Sequence, residues 1–154
     1  MPHRVTVVAY EGLSPFELGV AAEVFALPRP ELEVDWWYEF SVCAERPGLL
    51  PALGGFGMAV EHGLDELARA DTIILPGSPD VHGNPSDELV GALLAAHGRG
   101  ARLVSICSGA FVLAADEVQA QVDAGGRAGG GEQIVPVDVE DVGHDLHARV
   151  AARQ

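Results

Sequence analysis

Short apolar runs alternate with segments of helical periodicity along the first two thirds of this 154-residue chain. Uninterrupted apolar runs are typical of parallel strands that are covered on both faces. Such runs occupy residues 5–10, 38–44, 72–75 and 103–107, and a weaker one occupies residues 58–61. Helical patterns occupy residues 15–27 and 87–97. The alternation predicts an α/β domain whose mostly parallel sheet lies between layers of helices.

Both predicted helices begin with a capping signal. Ser86 is the predicted N-cap of the helix over 87–97, and acidic residues fill the first turn of that helix. The sequence "SPFE" at 14–17 is a capping box, in which the Glu17 carboxylate would bond to the backbone amide of Ser14. The residues alone therefore favour helix capping as the role of Glu17.

The character of the sequence changes near residue 116. Residues 1–115 carry the strand and helix patterns, whereas residues 116–154 form a divergent tail that is rich in glycine and acidic residues. The glycines at 125–131 lack the Gly-Lys-Ser/Thr ending of a phosphate-binding loop, so we interpret them as a linker. Residues 133–139 predict one further short strand.

Composition and charge limit the function. The chain is 48% hydrophobic and 21% charged, has no lysine, and carries a formal net charge of −14. An acidic surface repels phosphate backbones, so we expect no direct nucleic-acid binding. No apolar run approaches the length of about 18 residues that a membrane span requires, and the N-terminus has no secretory pattern. We expect a cytoplasmic protein that does not bind membranes.

Two cysteines, Cys43 and Cys107, are too few for a zinc site and are not expected to pair in a reducing compartment. Cys43 lies in an apolar run, which predicts a core residue. His144 and His147 have a spacing that could bind a metal on a helix, but a solvated acidic tail explains them better. We therefore expect neither a metal nor another cofactor.

Cys107 ends an apolar run and precedes a predicted helix. A nucleophile placed between a strand and a helix is typical of the elbow in hydrolase-like sites, where the side chain is exposed at the carboxyl edge of the sheet. The N-terminus of the following helix favours thiolate over thiol. A small buried apolar side chain is the alternative interpretation, and position alone does not decide between the two.

Three segments, "PFELGVAAEVFAL", "ADTIILPG" and "SICSGAFVLA", carry a resemblance to the ThiJ/PfpI superfamily, a branch of the class I glutamine amidotransferase-like fold. The sequence most resembles the N-terminal sensing domain of AraC/XylS-type transcriptional regulators, from about residue 4 to residue 115. The resemblance implies a flavodoxin-like three-layer sandwich that is usually dimeric. In the regulators, a second domain with paired helix-turn-helix motifs follows the sensing domain.

The resemblance also implies a site. Cys107 matches the elbow cysteine of the superfamily, and Glu17 matches the acidic residue that hydrogen-bonds the cysteine sulfur. Gly77, with the backbone N–H groups of Ser78 and Ser108, matches the loops that form a pocket resembling an oxyanion hole. Gly109, two residues after the cysteine, lets the backbone turn closely and is a further candidate ligand-binding residue. The family histidine comes from a stretch resembling Thr-His-Trp, which this sequence lacks, and neither His144 nor His147 has a matching context. Catalysis by a thiol needs a base to handle protons, so the sequence favours a site that is not catalytic.

These observations favour a ligand-sensing domain of an AraC-type regulator that lacks its DNA-binding domain, with a small-molecule effector and a homodimeric state. A sandwich truncated at its C-terminal side by a frameshift or fusion is our hypothesis for the tail. A free-standing thiol-dependent hydrolase, amidase or glyoxalase-like hydratase is the alternative, and a non-functional remnant is a third.

His82 could line the mouth of the site, and one of Trp36 and Trp37 could cover a dimer contact.

Overall fold

Strands and helices alternate in the computed structural model, which describes residues 1–34, 37–80, 84–115 and 118. In these residues the elements are β1 (Arg4–Ala9), α1 (Pro15–Ala21), β2 (Glu39–Ala44), β3 (Gly48–Ala52), β4 (Phe56–Val60), β5 (Thr72–Leu75), α2 (Asp87–Gly98), β6 (Arg102–Ser105) and α3 (Ala110–Leu113). A π-helix over Ala22–Ala26 continues α1. Short 3₁₀-helices occupy Pro30–Leu32, Leu64–Arg69 and Cys107–Gly109.

Four strands form one parallel sheet in the order β2-β1-β5-β6. Val7 at its centre pairs with Val42 of β2 and with Ile74 of β5. The strand prediction over 103–107 was wrong at its end, because β6 stops at Ser105 and Cys107 lies beyond it. The predicted α/β fold with a mostly parallel sheet is confirmed.

Both faces of the sheet are covered. On one face, Ile73 and Leu75 of β5 pack with Leu89 and Leu93 of α2 in the largest apolar cluster. On the other face, Val5, Val7 and Ile74 pack with Ala21 of α1. Burial on both faces explains why the strands are continuous apolar runs rather than alternating ones.

An antiparallel hairpin of β3 and β4 lies outside the main sheet. Gly54 and Gly55 form its turn with φ values of +98° and +82°, a backbone region that favours glycine. The amide of Gly12 donates to the carbonyl oxygen of Pro51 at 2.8 Å and ties the hairpin to the segment after β1. The sequence patterns predicted β4 weakly and missed β3.

The two predicted caps have different outcomes. The Ser86 hydroxyl accepts a hydrogen bond from the Leu89 amide at 3.1 Å, which confirms the N-cap of α2. Ser14 makes no capping bond through its side chain, so the predicted capping box does not form. Pro15 at the first helical position and the extended backbone of Ser14 are enough to begin α1.

No helix in the described ranges is long and apolar enough to cross a bilayer.

Candidate functional site at the carboxyl edge of the sheet

The carboxyl ends of β1, β5 and β6 meet at one edge of the sheet because the three strands are parallel neighbours. The segments after these strands carry, in turn, Glu17, Gly77 and Cys107. Open α/β sheets bind ligands at this edge. The topology thus brings together residues that lie 60 and 90 positions from Glu17 in the chain.

Cys107 has a left-handed backbone conformation, with φ at +56°, and its side chain is exposed. For a residue with a Cβ this conformation costs about 1 kcal/mol or more, and such residues concentrate at functional sites. The surrounding turn is tied to β5, because the amide of Ile106 donates to the carbonyl oxygen of Leu75 at 2.9 Å. The thiol therefore stands at a strained junction between a strand and a helix.

Gly109 is the residue that allows this junction to approach β5. A Cβ at position 109 would collide with the carbonyl oxygen of Leu75 and would lie 2.7 Å from the carbonyl oxygen of Pro76. Both obstacles are backbone atoms of the neighbouring strand end, so they cannot rotate away. The turn that presents Cys107 consequently requires glycine two residues later.

Glu17 lies against Gly77 and Ser108. A Cβ at position 77 would come within 2.8 Å of Glu17 Oε2 and 3.1 Å of Ser108 Oγ. The Ser108 hydroxyl donates to the carbonyl oxygen of Ser78 at 3.1 Å, and this bond links the turn after β6 to the loop after β5. The turn that carries Cys107 and Ser108 therefore lies against residues from two other segments, namely Glu17, Gly77 and Ser78.

The Glu17 carboxylate has an unusual environment. Its Oε2 atom is buried and has no hydrogen-bond partner among the described residues. A buried polar oxygen without a partner is costly, because its solvation is lost without a replacement bond. No hydrogen bond joins Glu17 to the Cys107 sulfur in the described ranges, so the contact implied by the family resemblance stays a prediction.

The other cysteine is a core residue, as predicted. Cys43 is fully buried and unpaired. Burial, followed by the nearby carboxylates of Glu66 and Asp65, raises the pKa of the Cys43 thiol to about 12. This thiol is protected from reagents both sterically and by its protonation.

Several predicted features fall outside the described residues: Trp36, His82, His144, His147 and the strand over 133–139. Trp37 is described and makes an edge-to-face contact with Tyr38. In the described part of the chain, no group of three or more histidine, cysteine, aspartate or glutamate side chains could hold a metal ion.

Tyr10, which follows β1, is a residue at this edge that the sequence patterns did not single out. Its hydroxyl is buried without a partner in the described residues. Burial, followed by Cys43 and Glu45, raises the pKa of this phenol. Tyr10 also lines a cavity of about 240 Å³ with Glu11 and Arg46, at the ends of β1 and β2. The sequence signal that could have identified Tyr10 is its position, since it is a polar aromatic residue directly after a buried strand.

A protein of Streptomyces lividans, described as an uncharacterized protein in the cpoL 5' region, is 32% identical to this chain over 117 residues. The match covers 74% of this chain and 79% of that protein. No model of a known protein family matches the chain.

Solved structures share the fold. An AraC family transcriptional regulator from Pseudomonas putida matches with a TM-score of 0.57 and 18% identity, over 84% of this chain and 92% of that one. A DJ-1 superfamily protein from Salmonella typhimurium matches with a TM-score of 0.57 and 19% identity, over 75% of this chain and 62% of that one. A Vibrio parahaemolyticus protein described as a transcriptional regulator matches with a TM-score of 0.61 and 20% identity. That match covers 74% of this chain and 61% of the Vibrio protein, so this chain spans less than two thirds of the last two structures.

Proposed function

We propose that this chain is a ligand-sensing domain of the AraC regulator type, because it shares its fold with solved structures of a DJ-1 superfamily protein and of an AraC family regulator. In this proposal the effector is a small molecule that binds at the carboxyl edge of the sheet, beside Cys107. The match to the Pseudomonas putida regulator supports this choice, since it extends over 92% of that structure.

The observation that carries the proposal is the buried Oε2 of Glu17, which has no partner among the described residues and lies against Gly77 and Ser108, beside the turn that carries the exposed Cys107. A ligand with a hydroxyl, amide or ammonium donor would supply the missing hydrogen bond to this oxygen. The bond would recover the cost of desolvating the carboxylate, so recognition of such a donor is favourable at this position. Cys107 and Ser108 would contact the rest of the ligand.

A thiol-dependent enzyme is the second candidate, and the left-handed backbone of Cys107 favours it. Strain at a residue between a strand and a helix is the geometry that exposes nucleophiles in hydrolases. In that case Glu17 would exchange protons with the substrate or with the thiol.

Differential scanning fluorimetry against a panel of small amines, amides, polyols and aldehydes tests the sensing proposal. We expect at least one compound to raise the unfolding midpoint of the wild type with a saturating concentration dependence, because a ligand that binds only the folded state stabilises it. The shift should be lost in Glu17→Gln and Gly77→Ala, and it should persist in the control Leu49→Ala, whose side chain is exposed on the hairpin.

The same compounds, incubated with protein and followed by NMR, separate the two candidates. A sensor leaves the bound compound intact. Consumption of the compound by the wild type, but not by Cys107→Ser, would replace the sensing proposal with the enzyme. Midpoint shifts that survive both site variants would place the sensing site elsewhere.

A further inference from the structure

Four arginine side chains converge at the amino-terminal edge of the sheet, which is the edge opposite to Cys107. Arg4 begins β1 and Arg102 begins β6, while Arg69 and Arg99 lie at the ends of the helices that precede β5 and β6. Together they line a cavity of about 590 Å³. The chain has nine arginines, no lysine and a net charge of −14, so four arginines around one cavity are a local departure from its acidic composition.

Two of the four guanidinium groups have carboxylate partners. Arg4 Nε lies 3.2 Å from a carboxylate oxygen of Glu39, and an Arg69 guanidinium nitrogen lies 2.5 Å from Glu66. Asp71 also lines the cavity, and its carboxylate accepts a hydrogen bond from the backbone amide of Arg4 at 2.8 Å. Counted against the four arginines, these three carboxylates leave one net positive charge around the cavity, and the two guanidinium groups without a carboxylate partner among the described residues are Arg99 and Arg102.

Arg99 has only neutral partners. Its guanidinium donates to the carbonyl oxygens of Leu67 at 3.1 Å, Ala70 at 3.4 Å and Ala95 at 3.4 Å. These bonds hold the side chain in place across the end of α2 and the 3₁₀-helix before β5. They leave its charge without a carboxylate partner among the described residues.

Arg102 has no hydrogen bond or ion pair through its side chain to any described residue, and it is exposed. Its backbone is nevertheless fixed, because the amide of Arg102 donates to the carbonyl oxygen of Asp71 at 2.9 Å. The Asp71 amide in turn donates to the carbonyl oxygen of Arg4 at 2.9 Å. The starts of three neighbouring strands therefore hold these residues at fixed spacings.

The floor between Arg99 and Arg102 has no bulky side chain. Gly100 has a φ of +96°, and a Cβ at this position would meet nothing within 4 Å. Ala101 next to it is buried. Small residues between the two guanidinium groups leave open volume in front of both.

We propose that this cavity binds a small oxyanion, either a phosphate ester or a polycarboxylate, through Arg99 and Arg102. The planar guanidinium group of Arg102 is free to match two oxygens of a phosphate or carboxylate with paired hydrogen bonds. Arg99 already donates to three carbonyl oxygens, so it contributes its charge and a remaining N–H group. Arg99 is already immobilised, so little side-chain freedom is lost when it binds the anion. The site is separate from the Cys107 site, and it would bind its anion whether or not the sensing proposal holds.

Isothermal titration calorimetry of the full chain at fixed ionic strength tests this site, with pyrophosphate and citrate as probes. We expect saturable binding of at least one probe. Tighter binding of pyrophosphate indicates a phosphate ester as the natural ligand, and tighter binding of citrate indicates a polycarboxylate. Arg102→Gln should weaken the preferred probe about tenfold or more, which is the effect of losing one charged hydrogen bond.

Arg102→Gln is the informative variant because the Arg102 side chain supports no other part of the fold. Arg46→Gln is the matched control, since Arg46 is also exposed but lies at the opposite edge of the sheet. The proposal is overturned if the wild type binds neither probe, or if Arg46→Gln weakens binding as much as Arg102→Gln. It is also overturned if duplex DNA binds this face more tightly than both probes and displaces them.

Discussion

At the scale of single residues, the two cysteines differ in the properties that control thiol chemistry. Cys43 lies in the core with its pKa raised to about 12, whereas Cys107 is exposed on a strained turn. Sequence position alone left both a core role and a site role open for Cys107. The contact that separates the roles is long-range, since it places Glu17 and Gly77 beside the turn.

The buried Cys43 thiol makes stability depend on pH in the alkaline range. Below its ordinary pKa of 9.0 the thiol is protonated in the folded and in the unfolded protein. In this pH range the buried neutral thiol makes its full contribution to the free energy of unfolding. As the pH rises towards about 12, the unfolded thiol ionises first, so the free energy of unfolding falls by up to about 1.4 kcal/mol per pH unit. The free energy of unfolding, measured by urea denaturation at several alkaline pH values, should fall less steeply with pH in Cys43→Ala than in the wild type. An identical dependence on pH in both proteins would contradict this account.

Gly109 should be the least replaceable residue of the turn. In Gly109→Ala the added methyl group meets two backbone carbonyl oxygens, so the turn or the end of β5 must move. We expect a loss of about 3 kcal/mol in the free energy of unfolding, measured by urea denaturation. Gly91→Ala is the control, because nothing lies within 4 Å of its Cβ position on α2. That variant should be neutral or slightly stabilising, and equal losses in the two variants would refute the close approach.

At the scale of elements, similar serine signals at two helix starts led to different structures. The Ser86 side chain caps α2, whereas the Ser14 side chain does not cap α1. Ser86→Ala should therefore lower the free energy of unfolding by about 1 kcal/mol. Ser14→Ala should have a clearly smaller effect. Chemical denaturation of both variants checks this, and a larger loss in Ser14→Ala would contradict the observed bonding.

Elements with local signals could be predicted from the sequence, and elements that depend on distant contacts could not. The parallel strands and α2 follow from apolar runs and a local cap. β3 was missed because Gly48 and Pro51 disfavour a strand locally, and its stability comes from pairing with β4. Local patterns also could not predict that Glu17 lies against Gly77, because the capping box is a local pattern and this contact spans 60 residues.

At the scale of the whole molecule, the exposed apolar side chains have a consequence for assembly. Phe16, Val20 and Val24 follow one another at four-residue spacing on the first helix and its π-helical continuation, and Phe16 is 77% exposed. An apolar stripe of this kind on a chain of high net charge is typical of an interface. It supports the proposed homodimer.

Sedimentation velocity tests the homodimer. We expect the wild type to sediment as a dimer and Val20→Glu to shift it towards monomer, since the new charge would be buried without a partner. Leu49→Glu is the control, because Leu49 is 76% exposed on the separate hairpin. A monomeric wild type, or equal dissociation of both variants, would reject the stripe as the interface.

The central claim is that Glu17 and Cys107 form one chemical site, and competitive alkylation with peptide mass mapping tests it most directly. In the folded protein, iodoacetamide should label Cys107 selectively and leave Cys43 unmodified, because Cys43 is buried. Glu17→Ala should change the rate at Cys107 about tenfold, since Glu17 lies beside the turn that carries Cys107 and a carboxylate near a thiolate interacts with it by about 1 kcal/mol or more. A faster rate indicates that Glu17 repels the thiolate, and a slower rate indicates that it donates a hydrogen bond. Equal labelling of both cysteines, or an unchanged rate in Glu17→Ala, would contradict the account.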